Sequence, residues 1–314
     1  MKAAVVGAGG FVGRALTTRL RAEDHFVLPV VRSPAGISGE LSIDDLSTAD
    51  WPAIFAGVEV VVLTAARVHI MNDPSTDPLA EFRRVNRDGS LAVLRGAIEA
   101  GARRFLFVST VKVNGEETSA DQPFRADDLP APNDPYGVSK FEAEQALKLL
   151  AAESDIELTI VRPTLVYGPG VGANFETMMR WVSRGLPIPL GAITNNRRSI
   201  VGIDNLVDLL ALCLSAPAAA NQTFMAADGR DLSTAELLRE VGGALGRPAR
   251  LLSVPKGLID FAARLLGKGA AVRRLTGSLQ VDITKTRDML GWSPPESIEE
   301  GMRRTADAFL GSKA

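Results

Sequence analysis

Cysteine is almost absent from this chain: Cys213 is the only one in 314 residues. One thiol closes no internal disulfide, so the sequence reads as a protein of a reducing compartment. Cys213 lies in the apolar helical run of Leu209, Leu210, Leu212 and Leu214, where it reads as a small buried side chain. Histidine is nearly as scarce. His25 and His69 stand far apart without ligand spacing, so no metal site is expected. An excess of either charge is missing too. The net charge is −2 with no basic stripe, which makes nucleic acid and anionic membrane poor partners. No apolar run approaches the ~20 residues needed to cross a bilayer. Glycines interrupt "MKAAVVGAGG" before a signal-peptide core forms, and a soluble cytoplasmic protein is expected. There is no internal repeat and no low-complexity tract.

What remains is the composition of an ordinary soluble enzyme, 46% hydrophobic and 23% charged. The length suffices for one large domain or two. In the first half, short apolar runs alternate with amphipathic helices, the pattern of a doubly wound parallel sheet. "AAVV" (3–6), "FVLPVV" (26–31), "VEVVVLTAA" (58–66), "RFLFVST" (104–110) and "ELTIVRP" (157–163) read as strands. Pro29 inside the second of these is a misfit for a central strand. The helix after the first strand places Val12, Ala15, Leu16 and Leu20 on one face. A later helix is expected to run to about Ala100 and stop at Gly101. Another starts near Pro135 and ends in the early 150s.

Beyond Pro163 the texture becomes loop-rich, punctuated by proline and glycine. Capping boxes at Ser233 with Glu236 and at Ser297 with Glu300 mark helices in the last third. A nucleotide-binding domain is therefore expected over 1–165, rejoined by about 199–226. A smaller, mostly helical substrate domain takes 166–198 and 227–314.

The stretch "VVGAGGFVG" carries the first chemistry. A strand that turns sharply into a helix presents backbone N–H groups to a pyrophosphate, and side chains in the turn would block both approach and packing. Gly7, Gly10 and Gly13 fit a three-residue step, whereas the more familiar register fails at Val12. The usual partner is an acidic residue ending the second strand, which accepts the adenosine ribose hydroxyls. Here Val31 and Arg32 occupy that place, and an arginine there holds a 2′-phosphate, which favours NADP(H) within NAD(P)(H).

"YGVSK" adds a catalytic pair. Tyr136 and Lys140 are four apart, hence on one helix face. A phenol of pKa ~10 needs help to exchange a proton near neutrality, and an ammonium one turn away is expected to lower it. Ser109 and Thr110 end a parallel strand, where such sheets place ligands.

Together these residues resemble the extended short-chain dehydrogenase/reductases, NAD(P)-dependent enzymes of nucleotide sugars. The resemblance spans essentially the whole chain and implies a Rossmann-type doubly wound sheet with a helical C-terminal substrate domain. Gly7, Gly10 and Gly13 match the family's glycine loop, Tyr136 and Lys140 its catalytic pair, and Thr110 of "STVKVNG" its catalytic hydroxyl. Asn86 of "VNRDGS" and Pro163 of "RPTLVYGPG" match further cofactor-side segments. Phe11, Val12, Ala65 and Ala66 join them by position, as does the adenine-side pair Asp45 and Leu46. On the substrate side, Lys112 and Asn174 fall at contact positions. Arg198 and Arg273 resemble an arginine clamp on a nucleotide diphosphate, where a planar guanidinium grips phosphate oxygens.

Three departures stand out: no strand-end carboxylate, Leu63 where a histidine is common, and "V-N-G" with Asn114 in place of "V-Y-G". With "STVKVNGE" and "DPYGVSK", the sequence looks most like bacterial reductases of UDP-4-keto-6-deoxy-N-acetylglucosamine. These form UDP-N-acetylquinovosamine for O-antigen and capsule. The expectation is thus an NAD(P)H-dependent C4 reductase acting on a UDP-sugar. A UDP-hexose 4-epimerase is the nearest alternative; a hydroxysteroid-type dehydrogenase and a non-catalytic redox sensor are more remote. Dimers are common in the resembled family, so a homodimer is an open possibility.

Overall fold

The structure is a computed structural model describing residues 1–68, 77–119, 122–265, 267 and 269–311, without the side chains at 173, 174, 270 and 271. His69 lies outside the described residues. The strands are β1 Lys2–Val6, β2 Phe26–Val31, β3 Leu41–Ser42, β4 Val60–Leu63, β5 Arg104–Val108, β6 Glu157–Pro163, β7 Leu165–Tyr167, β8 Ile200–Gly202 and β9 Thr223–Ala226. The helices of the first half are α1 Phe11–Ala22, α2 Trp51–Ile54, α3 Pro78–Arg83, α4 Gly89–Glu99 and α5 Pro135–Ala152. Those of the second half are α6 Ala173–Ser183, α7 Ile203–Ser215, α8 Thr234–Ala244, α9 Lys256–Leu265, α10 Gly269–Thr276, α11 Thr284–Leu290 and α12 Ile298–Gly311.

Seven strands form one sheet in the order β3-β2-β1-β4-β5-β6-β9, and every pairing in it is parallel. The expected doubly wound sheet is therefore present. Strand order reverses between β1 and β4, which opens a crevice at their C-terminal ends, the usual ligand position in such sheets. Apolar residues cover both faces. Leu16 and Leu20 of α1 meet Leu206 and Leu210 of α7 on one side, while Val93 and Leu94 of α4 meet Ala143 and Leu147 of α5 on the other. Within 199–226, α7 joins the core of α1 and β9 extends the edge beyond β6, while β8 pairs in parallel with β7 in a separate two-stranded sheet. A third core, with Tyr167, Phe175, Met179, Leu238 and Met302, sits in the C-terminal half.

Two local features explain sequence oddities. Val30 O accepts from Gly7 N on the β1 side, whereas Val31 O accepts from Ile43 N on the opposite side. Alternation puts Pro29 on the same side as Val31, and there β3 pairs only with Val30 and Val31. The missing N–H of Pro29 therefore falls where no partner strand reaches, and the proline costs no ladder bond. The expected single helix ending near Ala100 is broken: α3 passes through a π-helical turn at Arg84–Asp88 before α4 begins. Both capping boxes form, with Ser233 N donating to Glu236 and Ser297 N to Glu300, each bond reciprocated.

Candidate active site

The glycine loop is set by close approach. Gly7 has φ +94°, and a Cβ there would lie 2.5 Å from Ala65 N; one on Gly13 would lie 2.2 Å from Gly7 O. Neither position admits a side chain. Gly10 is different, since its nearest neighbour, Gly7 O, would be 3.3 Å from an added Cβ. It is the N-cap of α1, makes no side-chain cap bond, and no acidic residue follows in the first turn. The first N–H groups of α1 are thus left for an anionic ligand.

A cavity of about 840 Å³ opens above this turn. It is lined by Gly7, Gly10, Phe11, Val12, Gly13, Arg32, Asp45, Leu46, Ala65, Ala66, Thr110, Tyr136 and Pro163, all expected on the cofactor or catalytic side. Arg32 is exposed at its rim. Asp45 accepts from Ser47 N (2.8 Å) and from Arg84 (2.7 Å), bonds that hold its carboxyl below the usual range. The cradle, the bare helix terminus and the cavity size, within the range of small-molecule sites, fit a dinucleotide.

Tyr136 and Thr110 reach the cavity from α5 and from the end of β5. α5 starts at Pro135, and the N-cap Asp134 accepts from Gly137 N at 2.6 Å. Thr110 Oγ1 accepts from Lys112 N at 3.3 Å, while the neighbouring Ser109 Oγ donates to Glu144 at 2.5 Å. Of the two hydroxyls, Thr110 is the one whose donor proton meets no acceptor among the described residues.

The pairing of Tyr136 with Lys140 differs from expectation. Lys140 is buried, and its Nζ donates to Val108 O at 2.7 Å and stands 3.8 Å from the Phe107 ring centre. Burial pushes this ammonium down to about 7, with Glu144 opposing. Burial, seconded by Asp134, raises the Tyr136 phenol well above its ordinary value. The anticipated lowering by Lys140 is thus absent from the protein alone, because a cation that is itself desolvated and bonded to a carbonyl does not offset the enclosure of the phenol.

Other expected contacts are spent within the chain. Asn86, buried in the π-helical turn, accepts from Arg67 N (2.8 Å) and donates to Arg67 O (3.0 Å) and Ser139 Oγ (2.9 Å). Ser139 in turn donates to Tyr136 O, so Asn86 staples the chain after β4 to the catalytic helix instead of lining the cavity. Lys112, expected at a substrate-contact position, pairs within the chain with Asp134 and Glu116. Arg198 donates to Arg274 O at 2.5 Å and Gly277 O at 3.2 Å. It therefore ties the end of α10, away from the cavity lining, and burial lowers its pKa. Arg273 is exposed on α10. Asn174 begins α6, and its side chain lies outside the described residues.

Sequence reasoning passed over a buried network behind the hydroxyl pair. Arg162 grips Glu144 with two nitrogens (2.9 and 2.5 Å) and donates a third bond to Asn114 Oδ1 at 2.9 Å. The departure at Asn114 thus has a physical role: its amide receives a buried guanidinium and donates to Arg125 O. Two signals were available. Glu144 follows Lys140 by one helical turn, and Arg162 is a lone charge inside an apolar strand.

Comparisons with known proteins agree with this geometry. The NAD dependent epimerase/dehydratase family matches residues 3–227. A UDP-glucose 4-epimerase of Vibrio cholerae is 45% identical over 311 residues, covering 98% of this chain and 94% of the relative. An N-acetyl-alpha-D-glucosaminyl-diphospho-ditrans,octacis-undecaprenol 4-epimerase of Escherichia coli O157:H7 is 27% identical over 96% of this chain and 93% of its own. Among solved structures, UDP-glucose 4-epimerase of Thermotoga maritima with UDP-glucose superposes with a TM-score of 0.80 at 24% identity, over 100% of both chains. The Vibrio cholerae likeness favours the epimerase alternative over the expected C4 reductase, and the comparisons carry no preference for NADP(H). The chain belongs to the NAD dependent epimerase/dehydratase family, the extended short-chain dehydrogenase/reductases.

Proposed function

We propose that this protein is a UDP-hexose 4-epimerase that uses NAD. The observation that carries the reading is that Thr110 and Tyr136 line the same cavity as the glycine cradle, so a sugar seated there meets both hydroxyls beside the cofactor. The whole-chain likeness to the Vibrio cholerae enzyme supports the substrate class. Gly7, Gly10 and Gly13 would seat the pyrophosphate, Asp45 and Leu46 the adenosine half, and Lys140 the nicotinamide ribose. When bound, NAD supplies the oxidation of C4 and the reduction that restores it.

The chain's own groups handle protons and position. Tyr136, in its phenolate form, would take the proton from the 4-hydroxyl oxygen and, as the phenol, return it to that oxygen at the end of the cycle. Thr110 hydrogen-bonds the same oxygen and stabilises charge that develops on it. An epimerase must present either face of the hexose to the cofactor, so its firm grip falls on the diphosphate and not on the ring. Asn174 and Arg273 are the residues assigned to that grip, with Arg198 holding the α10 end that carries Arg273.

One observation favours a second reading. The exposed Arg32 stands at the cavity rim in place of a carboxylate, which suits the 2′-phosphate of NADPH and hence reduction of a UDP-4-keto sugar. Incubation with UDP-glucose and no added nucleotide separates the two. The epimerase reading expects a mixture of UDP-glucose and UDP-galactose from either starting sugar. Stoichiometric consumption of NADPH with the 4-keto sugar, and no interconversion, would overturn it.

A further inference from the structure

The C-terminal half carries an apolar face that no part of the described chain covers. In α9, Ile259 and Ala263 point inward and are buried. Leu258, Phe261 and Leu265, at i, i+3 and i+7, point outward and are 60%, 62% and 73% exposed. Leu252 just before α9 and Leu275 on α10 add exposures of 51% and 45%. Scattered exposed leucines are ordinary, but a stripe of large side chains along one helix is not.

The surrounding charge is one-sided. Residues 256–276 hold five basic residues (Lys256, Arg264, Lys268, Arg273, Arg274) against the single acid Asp260. The chain as a whole is at −2, so this local cationic patch is hidden in the average. Lys256, Arg264, Arg273 and Arg274 are all exposed. The face is also held in place. Thr234 Oγ1 donates to Leu275 O (2.5 Å), Asn196 Nδ2 to Gly277 O (3.1 Å) and Arg198 to Arg274 O (2.5 Å).

We propose that α9 and α10 form a docking face for an anionic lipid bilayer, with Leu258, Phe261 and Leu265 entering the acyl boundary and Lys256, Arg264 and Arg274 meeting headgroup phosphates. A helix with an apolar stripe and a basic remainder lies in the plane of a bilayer, its affinity set jointly by buried apolar area and attraction to anionic lipid. A second copy of the chain fits the same face less well. Two-fold contacts are self-complementary, so they would set this basic surface against itself. The proposal goes beyond the sugar chemistry and does not rest on it.

The test is co-sedimentation with vesicles of phosphatidylglycerol and phosphatidylcholine (3:7) at low salt, beside phosphatidylcholine alone. Binding is expected to the anionic vesicles and to fall at least about tenfold on the neutral ones. The double variant Phe261→Asp with Leu265→Asp is expected to lose binding by a similar factor while keeping the wild-type Tm and UDP-sugar turnover. Absence of binding to anionic vesicles, or equal binding by the variant, would overturn the proposal. So would a wild-type dimer in light scattering that this variant converts to monomer, since the face would then belong to a second copy.

Discussion

At the glycine-loop end of the cavity, steric fit decides everything. A Cβ on Gly7 or Gly13 would collide with backbone within 2.5 Å, and the loop residues Gly7, Gly10, Phe11, Val12 and Gly13 all line the cavity. At the substrate end two of the expected residues spend their charge inside the protein, Lys112 on Asp134 and Glu116 and Arg198 on the carbonyls ending α10, while Arg273 stays exposed. A glycine required by packing leaves one reading of its position. An arginine or lysine fits a phosphate, a carboxylate or a helix C-terminus equally well, and only the three-dimensional neighbourhood distinguishes them.

The largest effect that sharpens this contrast is expected from Gly13→Ala. Its methyl has no room beside Gly7 O, so purified protein should retain no NAD and show no turnover. Gly10→Ala, with a 3.3 Å neighbour, should fold normally and weaken only cofactor retention. Equal effects on folding at both positions would erase the distinction between a packing glycine and a ligand-approach glycine.

An intermediate effect comes from the arginines. Arg198→Met removes the donor to two carbonyls and should cost about 1–3 kcal/mol of stability, read as a lower Tm. Arg273→Met, on an exposed side chain, should leave Tm unchanged and raise the KM for UDP-glucose. If Arg198→Met raised KM with no loss of Tm, the substrate end would be a direct clamp after all.

A third effect is a pH dependence within the catalytic pair. Lys140 sits at about 7 when folded against an ordinary 10.5. Between those values the unfolded chain binds a proton that the native chain does not, so stability rises with pH across that window. Near and above pH ~10 the raised Tyr136 phenol works in the other direction, as unfolded tyrosine ionises first. Denaturant midpoints of cofactor-free protein should therefore climb from pH 7 to 9, and Lys140→Met should flatten the climb. An unchanged slope in that variant would show that Lys140 is not held in a desolvated site.

Much of the fold was legible because β1, β2, β4, β5 and β6 are short apolar runs, whereas the short β3, β7, β8 and β9 were not read as strands. β2 was found despite Pro29, whose harmlessness depends on how far β3 extends along it, a fact of pairing and not of local sequence. The π-helical turn at Arg84–Asp88 left no mark in the periodicity of an apolar helix face. On the catalytic side, spacing placed Tyr136 with Lys140 on one helix face and offered Ser109 and Thr110 at a strand end, and the choice of Thr110 came from the family resemblance. The state of Lys140 was not, because it depends on the Val108 carbonyl and the Phe107 ring, neither of which a helical spacing reveals. The Arg162–Glu144–Asn114 network escaped for a similar reason. Its members come from β6, α5 and the segment after β5, and they meet only once the sheet closes.

The proposed epimerase reading requires Tyr136 to transfer the proton in the cavity assigned to NAD. Tyr136→Phe, compared with wild type at matched cofactor content, measures this. Interconversion of UDP-glucose and UDP-galactose is predicted to fall by about 10²–10⁴-fold, with bound NAD and Tm unchanged. Turnover within a few-fold of wild type in that variant would contradict the central claim.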